Sequence, residues 1–171
     1  MLVTAGGVAA GKSSVITKNV IDKADLVFDG TLRDPEWAIA SIKDALDNGW
    51  KVEVAYVQRP LHLVAEGAIK RADDEGRWGP YANLPQTHLD AQKSVVEIAK
   101  HFERNPNVKV ELHLNEGVHH DDPIKVLNLS EIDAGGKYSY SNIYDKDIGT
   151  GGQRSAQPGD KSRPSANRSE S

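Results

Sequence analysis

Gly6-Gly7-Val8-Ala9-Ala10-Gly11-Lys12-Ser13 fits the pattern GxxxxGK[ST] at every fixed position. It follows a short apolar run, Met1 to Ala5, and opens a segment patterned as a helix from Lys12 to about Lys23. A strand, a glycine-rich turn and a helix in that order make a cradle for phosphate. Glycine lets the backbone wrap closely around an anion with its N–H groups turned inward. The helix that follows directs its positive end at the same place. Gly6, Gly7, Ala9, Ala10, Gly11 and Ser14 then contribute to the cradle, and Lys12 supplies a cation to the β- and γ-phosphates. The Ser13 hydroxyl is placed to ligate Mg²⁺. The ligand implied is ATP or GTP.

Outward from the cradle, short apolar runs alternate with helical patterns as far as about residue 128. Leu26-Val27-Phe28 reads as a short buried strand ending at Asp29. The next helix carries its own punctuation: Asp34 as cap, Pro35 at the first helical position and Gly49 as stop. Its apolar stripe is Ala38, Ile42, Ala45 and Leu46. Lys51 to Val57 is rich in strand formers, and Leu61 to about Asp74 and Leu89 to about Arg104 read as helices. Asn107 to Leu114 alternates, with Val108, Val110, Leu112 and Leu114 on one face. Strands alternating with helices predict right-handed crossovers and a mainly parallel sheet, an α/β three-layer fold of the P-loop NTPase type. Ligands of such sheets bind at the carboxyl ends of the strands.

The chain has 171 residues, which suggests one α/β domain. We assign residues 1–128 to that domain and 129–149 to an irregular extension. Residues 150–171 form a tail with almost no large apolar residue, and the tail is expected to be disordered. There is no cysteine, which excludes disulfides and thiolate metal sites. No apolar run approaches ~18 residues, so no membrane helix is expected, and the N-terminus does not read as a signal peptide. The formal charge of −4 gives no general attraction for nucleic acid. A cytoplasmic protein with neither membrane nor nucleic acid as partner is the expectation. His119-His120 beside Asp121-Asp122 reads as a solvated loop.

Asp29 ends its apolar run where a carboxylate can face the nucleotide. It can hold Mg²⁺ through water or accept a proton from an attacking hydroxyl, and the competing reading is a capping aspartate of a βα turn. Arg71 and Arg77 flank the end of the third helix, in Lys70 through Pro80. Guanidinium groups on a closing lid neutralise charge on a moving phosphoryl group. The competing reading is ordinary solvated helix charge, with Asp73, Asp74 and Glu75 as partners.

Five blocks stand in a meaningful order: Gly6 to Ser14, Phe28-Asp29-Gly30-Thr31-Leu32-Arg33, Tyr56-Val57-Gln58-Arg59-Pro60, Arg71 through Arg77, and Thr87-His88. The chain resembles the zeta-toxin-like P-loop kinases over roughly residues 2 to 115. The resemblance implies ATP- or GTP-dependent phosphorylation of a hydroxyl on a small molecule, with UDP-N-acetylglucosamine as the classical acceptor. It also implies a toxin role and a protein antitoxin as partner. Lys12 and Ser13 carry over to the phosphates and Mg²⁺, Asp29 to the acidic position where classical members usually have glutamate, and Arg71 and Arg77 to the lid. Arg71 and Arg77 stand closer together than classical lid arginines. Thr31, Arg33 and His88 are the candidate acceptor contacts, although a lone histidine is more often a packing or capping residue.

One departure stands out. Classical members carry an extra strand and helix before the Gly-Thr-Leu-Arg block, with an aspartate base in it, and here only a short stretch separates the P-loop helix from Asp29. That leaves Asp29 as the base by default, or no base at all. The alternative function is a nucleotide-binding module with weak or no transfer, part of a larger protein. The compositional boundary yields the first prediction. Truncation after Gly149 leaves Mg·ATP affinity unchanged by calorimetry, and a loss of binding or a fall of many degrees in Tm contradicts it.

Overall fold

The computed structural model describes residues 1–15, 23–76, 83–117, 124–127, 129 and 132. Its strands are β1 (Leu2–Ala5), β2 (Val27–Asp29), β3 (Val52–Gln58), β4 (Val108–Leu114) and β5 (Lys125–Leu127). They form one sheet in the order β2-β1-β3-β4-β5. The first four are parallel, and β5 returns antiparallel to β4. The helices are α1 (Lys12–Val15), α2 (Pro35–Asp47), α3 (Leu61–Glu75) and α4 (Leu84–His101). The mainly parallel α/β architecture anticipated from the alternation is therefore present.

β1 is buried at every residue because it lies between β2 and β3. On one sheet face, Val3, Ala5, Val54, Tyr56 and Leu112 pack with Ala38 and Ile42 of α2 and with Ala91, Val95 and Ile98 of α4. On the other, Leu2, Ala55 and Val57 pack with Ala10 of the glycine-rich turn. Ile132 is buried in the first cluster and Leu129 packs against it, so core contacts extend past residue 128.

Local signals place α2 well. The Asp34 carboxylate accepts from the Trp37 N–H at 3.0 Å, and Pro35 stands in the first turn. Gly49 follows at φ 83°, a left-handed conformation that suits glycine. Three expectations need correction. β2 is not a buried strand: Leu26 is 47% exposed and Phe28 38%. Among the described residues β2 pairs only with β1 and forms a sheet edge, which leaves its side chains half covered. α4 starts at Leu84, not Leu89, because Pro85 is accommodated in a first turn that needs no N–H from it. β5 was not anticipated, since three residues carry too short a pattern. The predicted tail, the predicted continuation of the first helix through residues 16–22, and His119 to Asp122 lie outside the described residues. Among the described residues no helix is long and apolar enough to cross a membrane.

The buried face of α4 yields a stability prediction. Ile98 has no exposed surface. Ile98→Ala is expected to cost about 2–5 kcal/mol, from lost transfer energy and a residual cavity. A urea melt checks this as a lower midpoint at unchanged slope.

Candidate phosphate-binding site

The loop that leaves β1 is fixed by close approach. Gly6 has φ 140°, and a Cβ on it would stand 2.5 Å from the Val57 carbonyl oxygen of β3. A Cβ on Gly7 would overlap the His88 ring, and one on Gly11, at φ 84°, the Asn115 amide. Ala9 holds φ 60° without being glycine. Such a residue is strained and persists only where its surroundings impose it. Ala9 packs against Val64 and Ala68 of α3 and Leu84 of α4.

The loop's carbonyl groups are engaged one after another. Lys12 Nζ folds back and donates to Gly6 O at 3.2 Å and Gly7 O at 3.3 Å. The His88 ring meets Val8 O through Nε2 at 2.8 Å. Asn115 Nδ2 donates to Ala10 O at 3.2 Å. Ser14 N–H bonds Gly11 O at 2.9 Å, which starts α1. Ser13 is exposed at the end of the loop.

Asp29 stands at the carboxyl end of β2, in register with Thr4 of β1. The fully buried Thr4 donates its hydroxyl to Asp29 Oδ1 at 2.5 Å. Lys12 is pulled below the ordinary lysine pKa, chiefly by burial. The Asp29 carboxylate opposes that shift, and the Arg71 guanidinium adds to it. Lys12, Asp29 and Arg71 therefore lie within electrostatic reach of one another, although Arg71 is exposed on α3.

The remaining sequence candidates fall differently. Thr31 offers its backbone carbonyl to Gly6 N–H at 3.4 Å, and Arg33 is exposed just before α2. His88 has no exposed surface and lies against the loop, its Nε2 2.8 Å from Val8 O and its ring beside Gly7. Burial holds its imidazole below the usual histidine pKa. Arg77 lies outside the described residues. An open cleft of about 490 Å³ lined by Lys23, Lys51, Glu53 and Lys109 lies at the amino ends of β1 and β3. That is the end of the sheet away from the loop, where parallel α/β sheets do not bind their ligands.

The sequence assigns no role to Thr4, Thr87, Asn115 or Arg59, although Thr87 and Arg59 fall in blocks that carry the resemblance. Thr4 gave one faint signal, a polar residue in an otherwise apolar strand. Asn115 follows β4 directly, its N–H bonded to Gln58 O at 2.8 Å, which continues the pairing with β3. Arg59 stood in a quoted block without a role. It is half-buried near Gly11 and donates to Gly117 O at 3.0 Å. None of these pairings is visible without the tertiary fold.

A phosphate loop after an interior strand of a mainly parallel sheet, with a carboxylate from the neighbouring strand within electrostatic reach of its lysine, defines a P-loop α/β domain. Residues 13–123 match the sequence model of the Zeta toxin family, and the chain belongs to that family. Zeta-toxin domains are kinase-like phosphotransferases. A search of curated protein sequences finds no match. Among solved structures the chain is similar to one described as the crystal structure of AvrRxo1-ORF1:AvrRxo1-ORF2 with sulphate ions. The TM-score is 0.60 at 17% identity, over 85% of this chain and 62% of that one. Identity so low speaks for the fold alone.

The lowered pKa of Lys12 has a consequence for binding. Its cation is lost at a lower pH than that of an ordinary lysine, so Mg·ATP affinity falls as pH rises through that point. Lys12→Arg stays charged over the same range and should show a flat profile, whatever its absolute affinity. Calorimetric titrations from pH 7 to 10 check this, and an equal decline in both proteins overturns it.

Proposed function

We propose that this chain is a small-molecule kinase that transfers a phosphoryl group from ATP or GTP to a hydroxyl. A UDP-amino sugar is the acceptor to test first. The observation that supports the reading best is the grouping of Lys12, Asp29 and Arg71 around a complete phosphate loop. Lys12 and the loop amides hold the donor's phosphates. Asp29, with Oδ1 fixed by Thr4, presents its other oxygen to take the proton of the attacking hydroxyl. Arg71 supplies positive charge from the lid side, and Arg77 is proposed for the same lid. Thr31 and Arg33, two and four positions after Asp29, are proposed as acceptor contacts.

Mg²⁺ fits this donor set. The Ser13 hydroxyl and, through water, the Asp29 carboxylate would be its hard oxygen donors, and Mg²⁺ usually completes its shell with water and phosphate. When bound it would neutralise phosphate charge. Among the described residues no cluster of three or more His, Cys, Asp or Glu side chains suits a metal.

AvrRxo1-ORF1 was crystallised with a second protein, AvrRxo1-ORF2, and an antitoxin-like protein partner is part of the proposal. So are a toxin role and a cytoplasmic location. The alternative, a nucleotide-binding module with weak or no transfer, is favoured by one feature. Only residues 14–28 lie between the P-loop and Asp29 in the sequence, a stretch without the extra strand and helix that carry the base in classical members.

Turnover separates the two. Wild-type protein with Mg·ATP and a panel of UDP-sugars and nucleosides is expected to release ADP in an acceptor-dependent way. Asp29→Asn is expected to lower that turnover by about 10²-fold or more, the range for a lost general base, with little change in metal-free ATP affinity. Wild-type turnover in the variant removes Asp29 from the chemistry. A wild-type protein that binds ATP and phosphorylates nothing in the panel favours the binding module.

A further inference from the structure

Val8 is the most exposed residue of the glycine-rich loop between β1 and α1, at 42%. Its backbone is nonetheless engaged at both polar groups, by two consecutive residues of another element. Thr87 Oγ1 accepts from Val8 N–H at 3.5 Å, and the His88 imidazole meets Val8 O at 2.8 Å. A carbonyl oxygen only accepts, so Nε2 carries the proton and donates. The same ring occupies the space that a Cβ on Gly7 would need. One residue further on, Ala9 sits at φ 60° on a patch made by Val64, Ala68 and Leu84. Thr87 is itself anchored, donating to Leu84 O at 2.8 Å.

We propose that Thr87 and His88 are positioning residues for phosphate binding: together they fix the two peptide groups flanking Val8 and so set the curvature of the loop. The inference rests on the nucleotide-binding reading above. Its physical basis is simple. An anion-binding loop works only while successive peptides keep one orientation, and the apex is the part furthest from the strand and helix that anchor it. The Val8 side chain is largely exposed, so the bonds to its backbone hold this part of the loop. His88 has no exposed surface, so it touches the loop and not the ligand. Burial favours its neutral form, and Lys12 nearby disfavours a second cation. The neutral tautomer with its proton on Nε2 is the one the contact requires. Gly7 then needs to be glycine for an additional reason: the histidine ring is in the way.

A purely structural histidine would make a different set of changes when replaced. It would lower stability and leave ligand affinity of the folded fraction alone. A positioning histidine changes affinity in a protein that still folds. The full chain carrying His88→Phe keeps the ring volume and loses the donor. His88→Gln keeps a donor that can reach Val8 O. Calorimetry with Mg·ATP should give a Kd about tenfold higher or more for H88F, the scale expected when a carbonyl loses its buried partner. H88Q should recover most of that loss, and urea melts should show the same slope in all three proteins. Histidine ¹⁵N spectra of the wild type without nucleotide supply a second test. They should show the Nε2–H tautomer of His88 at pH 7, titrating below ordinary histidine. Wild-type affinity in H88F overturns the inference while leaving the nucleotide reading intact, as does an Nδ1–H tautomer. If H88F does not fold, H88Q and the spectra decide. A wild-type protein that binds no Mg·ATP overturns the nucleotide reading, and the inference with it.

Discussion

A loop that offers N–H groups to an anion has to settle its carbonyl oxygens somewhere else, because a backbone acceptor left without a partner in a protein interior is costly. Here the settlement is divided among parts of the fold that are far apart in sequence. Gly6 O and Gly7 O take the Lys12 ammonium from α1, Val8 O takes His88 from α4, and Ala10 O takes Asn115 from the end of β4. These side chains reach the loop only if β4 is in register with β3 and α4 is packed on the sheet. The β3–β4 pairing continues into the bond from Asn115 N–H to Gln58 O, which fixes where the Asn115 amide emerges. The core of Ala91, Val95 and Ile98 fixes α4 in turn. The phosphate loop is a local motif with non-local support.

That division explains what the sequence revealed. The motif, the cap at Asp34 and the stop at Gly49 are encoded within a few residues of where they act, and each is where the sequence placed it. The alternation of strands and helices likewise announced the parallel sheet. Burial of β2 was misjudged because an apolar triplet says nothing about whether the strand has one neighbour or two. The start of α4 was missed because a proline inside an apolar-poor stretch looks like a breaker, and only the packed helix shows it in the first turn. His88 drew attention as a lone histidine, and its buried place against the loop could not be read from sequence. Asn115 gives no signal in the sequence and Thr4 only a faint one, since their partners lie a hundred and five and twenty-five positions away.

The electrostatics of the site follow from the same geometry. Lys12 is withdrawn from water, which disfavours its charge, and Arg71 disfavours it further; Asp29 alone of the named neighbours favours it. A polyphosphate brought to this place would join Asp29 on the favourable side, its charge acting in a partly desolvated setting. The lysine that costs stability to bury is thereby repaid on binding. This is the arrangement expected of a group kept for a ligand rather than for the fold.

Asp29 raises a separate question, since β2 is short, lies at a sheet edge and has exposed side chains. A carboxylate on such a strand would ordinarily have several rotamers open to it. The Thr4 hydroxyl removes that freedom from one oxygen. Thr4 can do so because it is the penultimate residue of the most buried strand, directly opposite Asp29 in the parallel register. It has no other route to water, and a buried hydroxyl without a partner would be unfavourable. The need to satisfy Thr4 and the need to aim Asp29 are therefore met by one hydrogen bond. The strand that carries the phosphate loop also sets the direction of the acid beside it.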